Sequence, residues 1–307
     1  MLKYVLKRLL QMLPVLLVVS VMIFAMVRIV PTDPILSITN GRHVSEETKQ
    51  QLREEFHLDK GPVEQYFIWM GNLLQGDMGQ SYSHRASVNG LIGDRIGTTL
   101  SLVALAGVLA ILIAIPLGVI SAVKMNTIVD KILSMLSLIF VASPVFLTAI
   151  VLMLVFAVNL KLFPTIGTGS FRHLVLPATA LALNMVALTS RITRSTMIEQ
   201  LNSDYIRTAT AKGIPRRRVV INHALKNALI PVITVTSVQI GAMLIGAVLV
   251  ETVFAMGGLG GLLIAAIKDS DYPLVQGITM LMVTIFLCVN LIVDVIYAIL
   301  DPRIRLS

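Results

Sequence analysis

Six apolar runs dominate the pattern along the chain, near residues 9–30, 99–123, 132–158, 176–196, 229–252 and 277–300. Each is long enough to cross about 30 Å of hydrocarbon, so each predicts a transmembrane helix. The first follows Lys3, Lys7 and Arg8. Its apolar core is too long for a signal peptide, and no small-x-small cleavage site follows, so it is expected to remain as the first span. The polar interruptions are unequal. Residues 31–96 form a long loop after the first span, and 197–228 form a second insert between the fourth and fifth. The expected fold is an all-α integral membrane protein, with one transmembrane domain over 1–307.

The long loop carries a helical pattern of its own. "SEETKQQLREEFHL" opens on Ser45, a good N-cap, with acids in the first turn. "PVEQYFIWMGNLL" opens on Pro62 at an N1 position, and Val63, Tyr66, Phe67, Met70, Leu73 and Leu74 share a helical face. A cap packed on the span ends and a docking surface for an external partner both fit this pattern.

Composition agrees with the membrane reading. The 307 residues are 56% hydrophobic and 14% charged, with a mean hydropathy of +0.85, whereas soluble domains run to about 25% charged. Charge then sets the orientation. The termini, the 124–131 segment and the 191–226 segment together hold 15 of the 25 basic residues, against the acids Asp130, Glu199, Asp204 and Asp301. Residues 31–96 hold nine acids and six bases. The positive-inside rule places both termini and the 197–228 insert in the cytoplasm, and the long loop outside. The net charge of +8 is thereby a topology signal, and no nucleic-acid partner is expected.

The chemistry of an enzyme is missing. There is no GxxxxGK[ST], HExxH or GxSxG. The histidines at 43, 57, 84, 173 and 223 fall in expected loops, and only Cys288, Glu251 and Asp294 place a metal-ligating group within spans. No catalytic, cofactor-binding or metal site is expected. Asn290, Asp294 and Tyr297 share a face of the sixth span. Asp294 is open to pairing with Arg191 or Arg194, or to serving as a gate contact. Glu251, beside the glycines 257, 258, 260 and 261, either caps amides of an irregular turn or lines a pathway.

The insert reads "DYIRTATAKGIPRRRVVINHALKN". Ser203 and Asp204 suit an N-cap, and Leu201, Tyr205, Thr208, Ala209 and Lys212 follow the helical period. Gly213 suits a left-handed C-cap. Ile214 is pushed out of helical geometry by Pro215, which can start the next helix. Binding to anionic lipid and a simple topology signal would each account for the arginines. Neither accounts for a capped helix with a built stop, which points to a soluble partner.

"RTATAKG" followed by "HALKNALIP" resembles the EAA loop of permease subunits from ATP-binding-cassette importers, in the form of the dipeptide, oligopeptide and nickel branch. The general Glu-Ala-Ala-x-x-x-Gly pattern falls on Arg207, Thr208, Ala209 and Gly213, of which only Ala209 and Gly213 match. His-x-Leu-basic-Asn falls on His223, Leu225, Lys226 and Asn227. "MLKYVLKRLL", "PTDP", "GDMGQSY", "LFPTIG", "HLVLPA", "ETVFAMGGLGGLL", "DYPLVQ" and "NLIVDVIYAILDPRIR" resemble further segments of that branch, in order, over essentially the whole chain. Met78 stands where the family has an aromatic residue. Met256 and Gly257 stand where it has Trp-Pro, which predicts a more flexible turn.

The resemblance implies six spans with both termini inside and a cytoplasmic coupling helix between the fourth and fifth. It assigns ATPase coupling to Asp204, Tyr205, Arg207, Thr208, Ala209, Ala211, Lys212, Gly213, Pro215, His223, Leu225 and Asn227. The implied partners are a second permease, two ATP-binding-cassette subunits that would hold ATP and Mg, an external substrate-binding protein and membrane lipid. The implied location is a bacterial inner membrane. Substrates of the branch are small peptides, glutathione and nickel chelates. The other reading of these spans is an ion-coupled secondary transporter, for which only Glu251 and Asp294 are candidate carboxylates and no convincing repeat is found.

Overall fold

The computed structural model describes residues 2–29, 34–39 and 44–300, with side chains described except at 2–4, 36–37 and 296–300. Residues 31–33 of "PTDP", His43, the ring of Tyr297 and the end of the chain from Asp301 lie outside them. The helices are α1 (Leu2–Ile29), α2 (Pro34–Ile38), α3 (Glu46–Glu55), α4 (Pro62–Leu74), α5 (Val88–Val123), α6 (Ile128–Ala142) and α7 (Val145–Leu152). Then follow α8 (Phe171–Leu201), α9 (Asp204–Ala211), α10 (Arg216–Arg218), α11 (Lys226–Val253), α12 (Leu259–Lys268) and α13 (Tyr272–Leu300). Wider π-helical turns extend α7 over Met153–Asn159 and join α10 to α11 over Val219–Leu225.

Among the described residues, five helices are long and apolar enough to cross a membrane: Val5–Ile29, Val88–Val123, Phe171–Leu201, Arg216–Val253 and Tyr272–Val295. The third expected span is not one straight helix. It breaks between α6 and α7 with a bend of 110°. Pro144 explains the break. A proline lacks an amide donor and drives the residue before it out of helical geometry, and Ser143 is extended at φ −83, ψ 127. Counted as one bent element, the pair makes six spans.

The chain divides into two compact units. The first comprises Leu100–Met256 with Phe286–Ser307 and Met1–Val5. Its centre is α8, which packs against α6, α7 and α11. The buried face of α8 is rich in small residues, among them Ala178, Ala182, Ala187, Thr189, Ser190 and Thr193. Small side chains let helix backbones approach closely, which is how helices associate where there is no water to drive them together. Gly118 of α5 marks a close approach to α8. A Cβ there would lie 2.5 Å from Thr193 Cβ and 2.7 Å from the Ser190 carbonyl oxygen.

Asp130 knots three helices of this unit. Ser121 Oγ of α5 donates to Oδ1 at 2.5 Å, and the Asn126 amide donates to Oδ2 at 3.0 Å. Arg194 of α8 grips both oxygens, Nε to Oδ1 at 2.6 Å and Nη2 to Oδ2 at 2.8 Å. Such bidentate forks are the strong form of the ion pair. Of the two arginines open to Asp294, Arg194 is thus engaged with Asp130.

The second unit comprises Leu6–Thr99 and Gly257–Ile285. One apolar cluster joins Val88 and Ile92 of α5 to Leu259 and Leu262 of α12 and to Leu274 and Ile278 of α13. Another joins Val27, Ile35, Ile38, Tyr82 and Tyr272, with Leu52, Phe56 and Leu58 packed on it. Ser45 caps α3 as its sequence suggests, its Oγ accepting from the Thr48 amide at 3.2 Å. The expected apolar face of α4 is split. Tyr66 meets Phe24 edge-on at 5.3 Å and Ser20 Oγ at 2.9 Å, whereas Val63, Phe67 and Leu74 are exposed. The helix turns Trp69 inward instead, against Phe24.

The cap and insert as a candidate functional site

The insert is a short helix with an engineered-looking stop and a firm root. Gly213 sits at φ +78. Its amide donates to the Thr210 carbonyl at 3.0 Å, and that of Ile214 donates to the Ala209 carbonyl at 3.3 Å. This double bond pattern around a left-handed residue is the Schellman motif. Pro215 is extended at ψ 135, and its carbonyl accepts from the Arg218 and Val219 amides. The chain therefore leaves α9, turns once and re-enters helix without a loose residue between.

The buried face of α9 agrees with the expected one at Ala209 and Leu201 and differs at Tyr205, Thr208 and Lys212. Ile206 and Ala209 are buried, in one cluster with Ala122, Met197, Val219, Val220, Ala224 and Ala228. Burying a side chain like Ile206 contributes about 1.5–3 kcal/mol. Tyr205, Arg207, Thr208, Ala211 and Lys212 are exposed, as is Asp204. A period counted from Leu201 fails because the chain breaks helix at Asn202 and Ser203, so α9 starts on a new axis. Ser203 occupies the N-cap position, but its hydroxyl donates back to the Gln200 carbonyl at 2.6 Å rather than capping α9.

The downstream motif braces this helix. Asn227 Nδ2 donates to Tyr205 Oη at 3.0 Å and to the His223 carbonyl at 3.3 Å. Tyr205 Oη in turn donates to Gln200 Oε1 at 2.8 Å. Leu225 packs on the buried cluster. His223 lies in the π-helical turn and His173 in the first turn of α8, so neither is the loop residue that its polarity suggests. The outward surface is basic: Arg207, Lys212, Arg216, Arg217 and Arg218 are exposed. The 3.4 Å pair of Arg207 with Asp204 is too exposed to neutralise it.

Of the residues proposed for a pathway, Glu251 is buried at 1% exposure, and Asn290 and Asp294 are partly buried on α13. Gly241 of α11 lies against Phe286 and Asn290, where a Cβ would come within 2.5 Å of the phenyl ring. Among the described residues no three His, Cys, Asp or Glu gather as a metal site. The turn after Glu251 is built around its methionine. Met256 is buried at 1%, flanked by Ala255 at φ 47 and Gly257 at φ 61. Phe254 is buried beside it and accepts from the Gly167 amide at 3.0 Å, which joins "LFPTIG" to "ETVFAMGG".

A second pair of distant segments meets in the cap. Asp271 of "DYPLVQ" is fully buried. Its Oδ2 accepts from the Ser81 and Ser83 hydroxyls and from the Ser83 amide at 3.0 Å, and its Oδ1 from the Leu274 amide at 3.3 Å. "GDMGQSY" supplies the serine, and Asp77 Oδ1 closes that loop by accepting from the Gly79 amide at 2.8 Å. Sequence reading singled out neither Asp130 nor Asp271 as a knot. The available signal was a carboxylate at the first turn of an apolar run, where only a local partner set makes its burial affordable.

Known proteins place this architecture. The model for the binding-protein-dependent transport system inner membrane component matches residues 114–306, and the model for its N-terminal part matches residues 1–103. The dipeptide transport system permease protein DppB of Escherichia coli K12 is 37% identical over 336 residues, covering 99% of each chain. The glutathione transport system permease protein GsiC of Escherichia coli O6:H1 is 37% identical over 305 residues, again covering 99% of each. Among solved structures, the inward-facing MetNI methionine ABC transporter superposes with a TM-score of 0.60 at 17% identity, over 69% of this chain and 96% of that one. That likeness speaks for the fold, and the full-length identities speak for the family. The chain belongs to the binding-protein-dependent transport system inner membrane components, and it is a permease of the inner membrane.

Proposed function

We propose that this permease forms half of the pathway of an ATP-driven importer for small peptides or peptide-like molecules, with α9 as the helix that meets the ATPase. The observation that carries the reading is the insert. A helix of eight residues is rooted by Ile206 and Ala209, stopped by Gly213 and left bare on its basic face. Charge distribution puts that face and both termini in the cytoplasm and the cap of α3 and α4 outside. A second permease subunit completes the pathway, two ATPase subunits hold ATP and Mg, and an external binding protein delivers substrate. The exposed arginines call for an acidic groove on the ATPase. Substrate class follows the dipeptide and glutathione permeases to which the chain is similar, and nickel chelates belong to the wider branch.

The ion-coupled alternative draws no support from the relatives. Uptake of a labelled dipeptide into membrane vesicles separates the two. The importer reading expects vanadate to abolish uptake and a protonophore to leave it intact while ATP is supplied. The reverse pattern would overturn it.

A further inference from the structure

The cap unit encloses a cavity of about 370 Å³, within the roughly 300–1,000 Å³ typical of small-molecule sites. Its apolar walls include Phe24, Phe56, Tyr82 and Pro273. Two of its buried polar atoms are donors left without an acceptor. Trp69 Nε1 and Gln276 Nε2 both line it, both are buried, and neither has a hydrogen-bond partner. Gln276 is only 4% exposed. The Arg28 guanidinium completes the set, stacked 3.5 Å over the Phe24 ring and donating to the Phe24 carbonyl and to Gln65 Oε1. Both of those acceptors are uncharged, so the cation is not neutralised by them.

A buried N–H without an acceptor is costly and rare. Two of them beside an arginine ask for an acceptor that carries charge and has more than one lone pair, which a carboxylate supplies. The exposed lining residues have the opposite sign. Glu55 and Asp77 border the same cavity and suit an ammonium group. We infer that this cavity is a site for a small zwitterionic peptide, with the peptide carboxylate on Arg28, Trp69 Nε1 and Gln276 Nε2, and its amino end toward Glu55 and Asp77. The inference rests on the peptide-importer reading and adds to it a site on the permease itself, ahead of the spans, where selection can occur.

Trp69 is the only tryptophan of the chain, so its emission reports on this cavity alone. The full chain reconstituted in nanodiscs is titrated with Ala-Ala, with the C-terminal amide of Ala-Ala and with its N-acetyl form. Ala-Ala is expected to shift the emission saturably, and the amide to bind at least about tenfold more weakly, the scale set by losing a charge-assisted hydrogen bond. Arg28→Gln should weaken Ala-Ala by about tenfold or more. Gln276→Met, which keeps the volume, should weaken it severalfold without changing the thermal melt. Equal binding of acid and amide, no saturable response, or wild-type binding by folded Gln276→Met would each overturn the site. So would a response to the binding protein without one to Ala-Ala. Ala-Ala uptake by the assembled transporter, measured in parallel, keeps the two readings apart. Uptake without a Trp69 response removes the site and leaves the importer, whereas a Trp69 response without uptake of any small peptide does the opposite.

Discussion

The insert and the cap are both polar excursions from an apolar chain, and they are held in place by opposite means. The insert is fixed by oil and backbone. Ile206 and Ala209 sink into the cluster around Met197, and the Schellman turn at Gly213 satisfies the last carbonyls. Nearly all of its side-chain polarity is left outside. The cap is fixed by a buried carboxylate, Asp271, with its donors gathered around it, and it keeps polarity inside, around a cavity. On the two proposals made above, one is made to be pushed and the other to hold something. A helix that must transmit displacement needs a rigid root and a bare face. A pocket that must recognise a charged molecule needs buried donors kept from collapse by a scaffold that does not yield.

Breaking the root should have the largest effect. Gly213→Pro fixes φ near −65° where the structure requires +78 and removes the amide that bonds Thr210. The variant is expected to insert at normal levels, while vesicle uptake falls to background and ATP hydrolysis by the assembled complex continues. Normal uptake at normal expression would show that α9 does not couple.

The corresponding break in the cap is Asp271→Ala. It orphans hydroxyl and amide donors at a fully buried position, at a cost of about 3–5 kcal/mol. The expected result is a lowered melting temperature and new protease cutting in the turn at 57–61, whose residues are already largely exposed. An unchanged melt would mean that the cap is held by its apolar clusters alone. The smallest effect sharpens the contrast. Asn227→Ala removes two solvated hydrogen bonds, to Tyr205 and to the His223 carbonyl, together worth about 1 kcal/mol at so exposed a site. Stability should barely move, while the amount of peptide imported per ATP falls a few-fold. Tyr205→Phe, which removes the same contact and also the hydroxyl's bond to Gln200, should lower coupling at least as much, and unchanged coupling in that variant would assign Asn227 another task.

Much of this was legible in the sequence, and the losses have physical causes. Apolar length located the spans because hydrocarbon thickness admits few solutions. Gly213 and Pro215 announced their turn because backbone chemistry is local. The face of α9 was only partly read, because the two-residue break before Asp204 resets helical phase, and a cap signal at Ser203 fixes where the helix starts but not how it is turned. The bend at Pro144 was missed because one serine and one proline barely dent the hydropathy of the apolar run in which they stand. The sequence offered Arg194 to Asp294 only as one of several alternatives, and its bond to Asp130 was not legible, because pairing depends on which helices adjoin and on Ser121 and the Asn126 amide, which local pattern does not rank. The cavity was invisible for the same reason. Arg28, Trp69 and Gln276 lie far apart in sequence, and only the folded cap makes them neighbours.

Asp130 stands at the first turn of α6 and holds the last turns of α5 through Ser121 and α8 through Arg194. Three helices tied at one point tilt as a body more readily than they splay. The insert follows the same end of α8 and shares Met197 with its cluster. On the coupling proposed for α9, a displacement delivered there would pass along α8 to α6, whose other end is the sharp corner at Pro144.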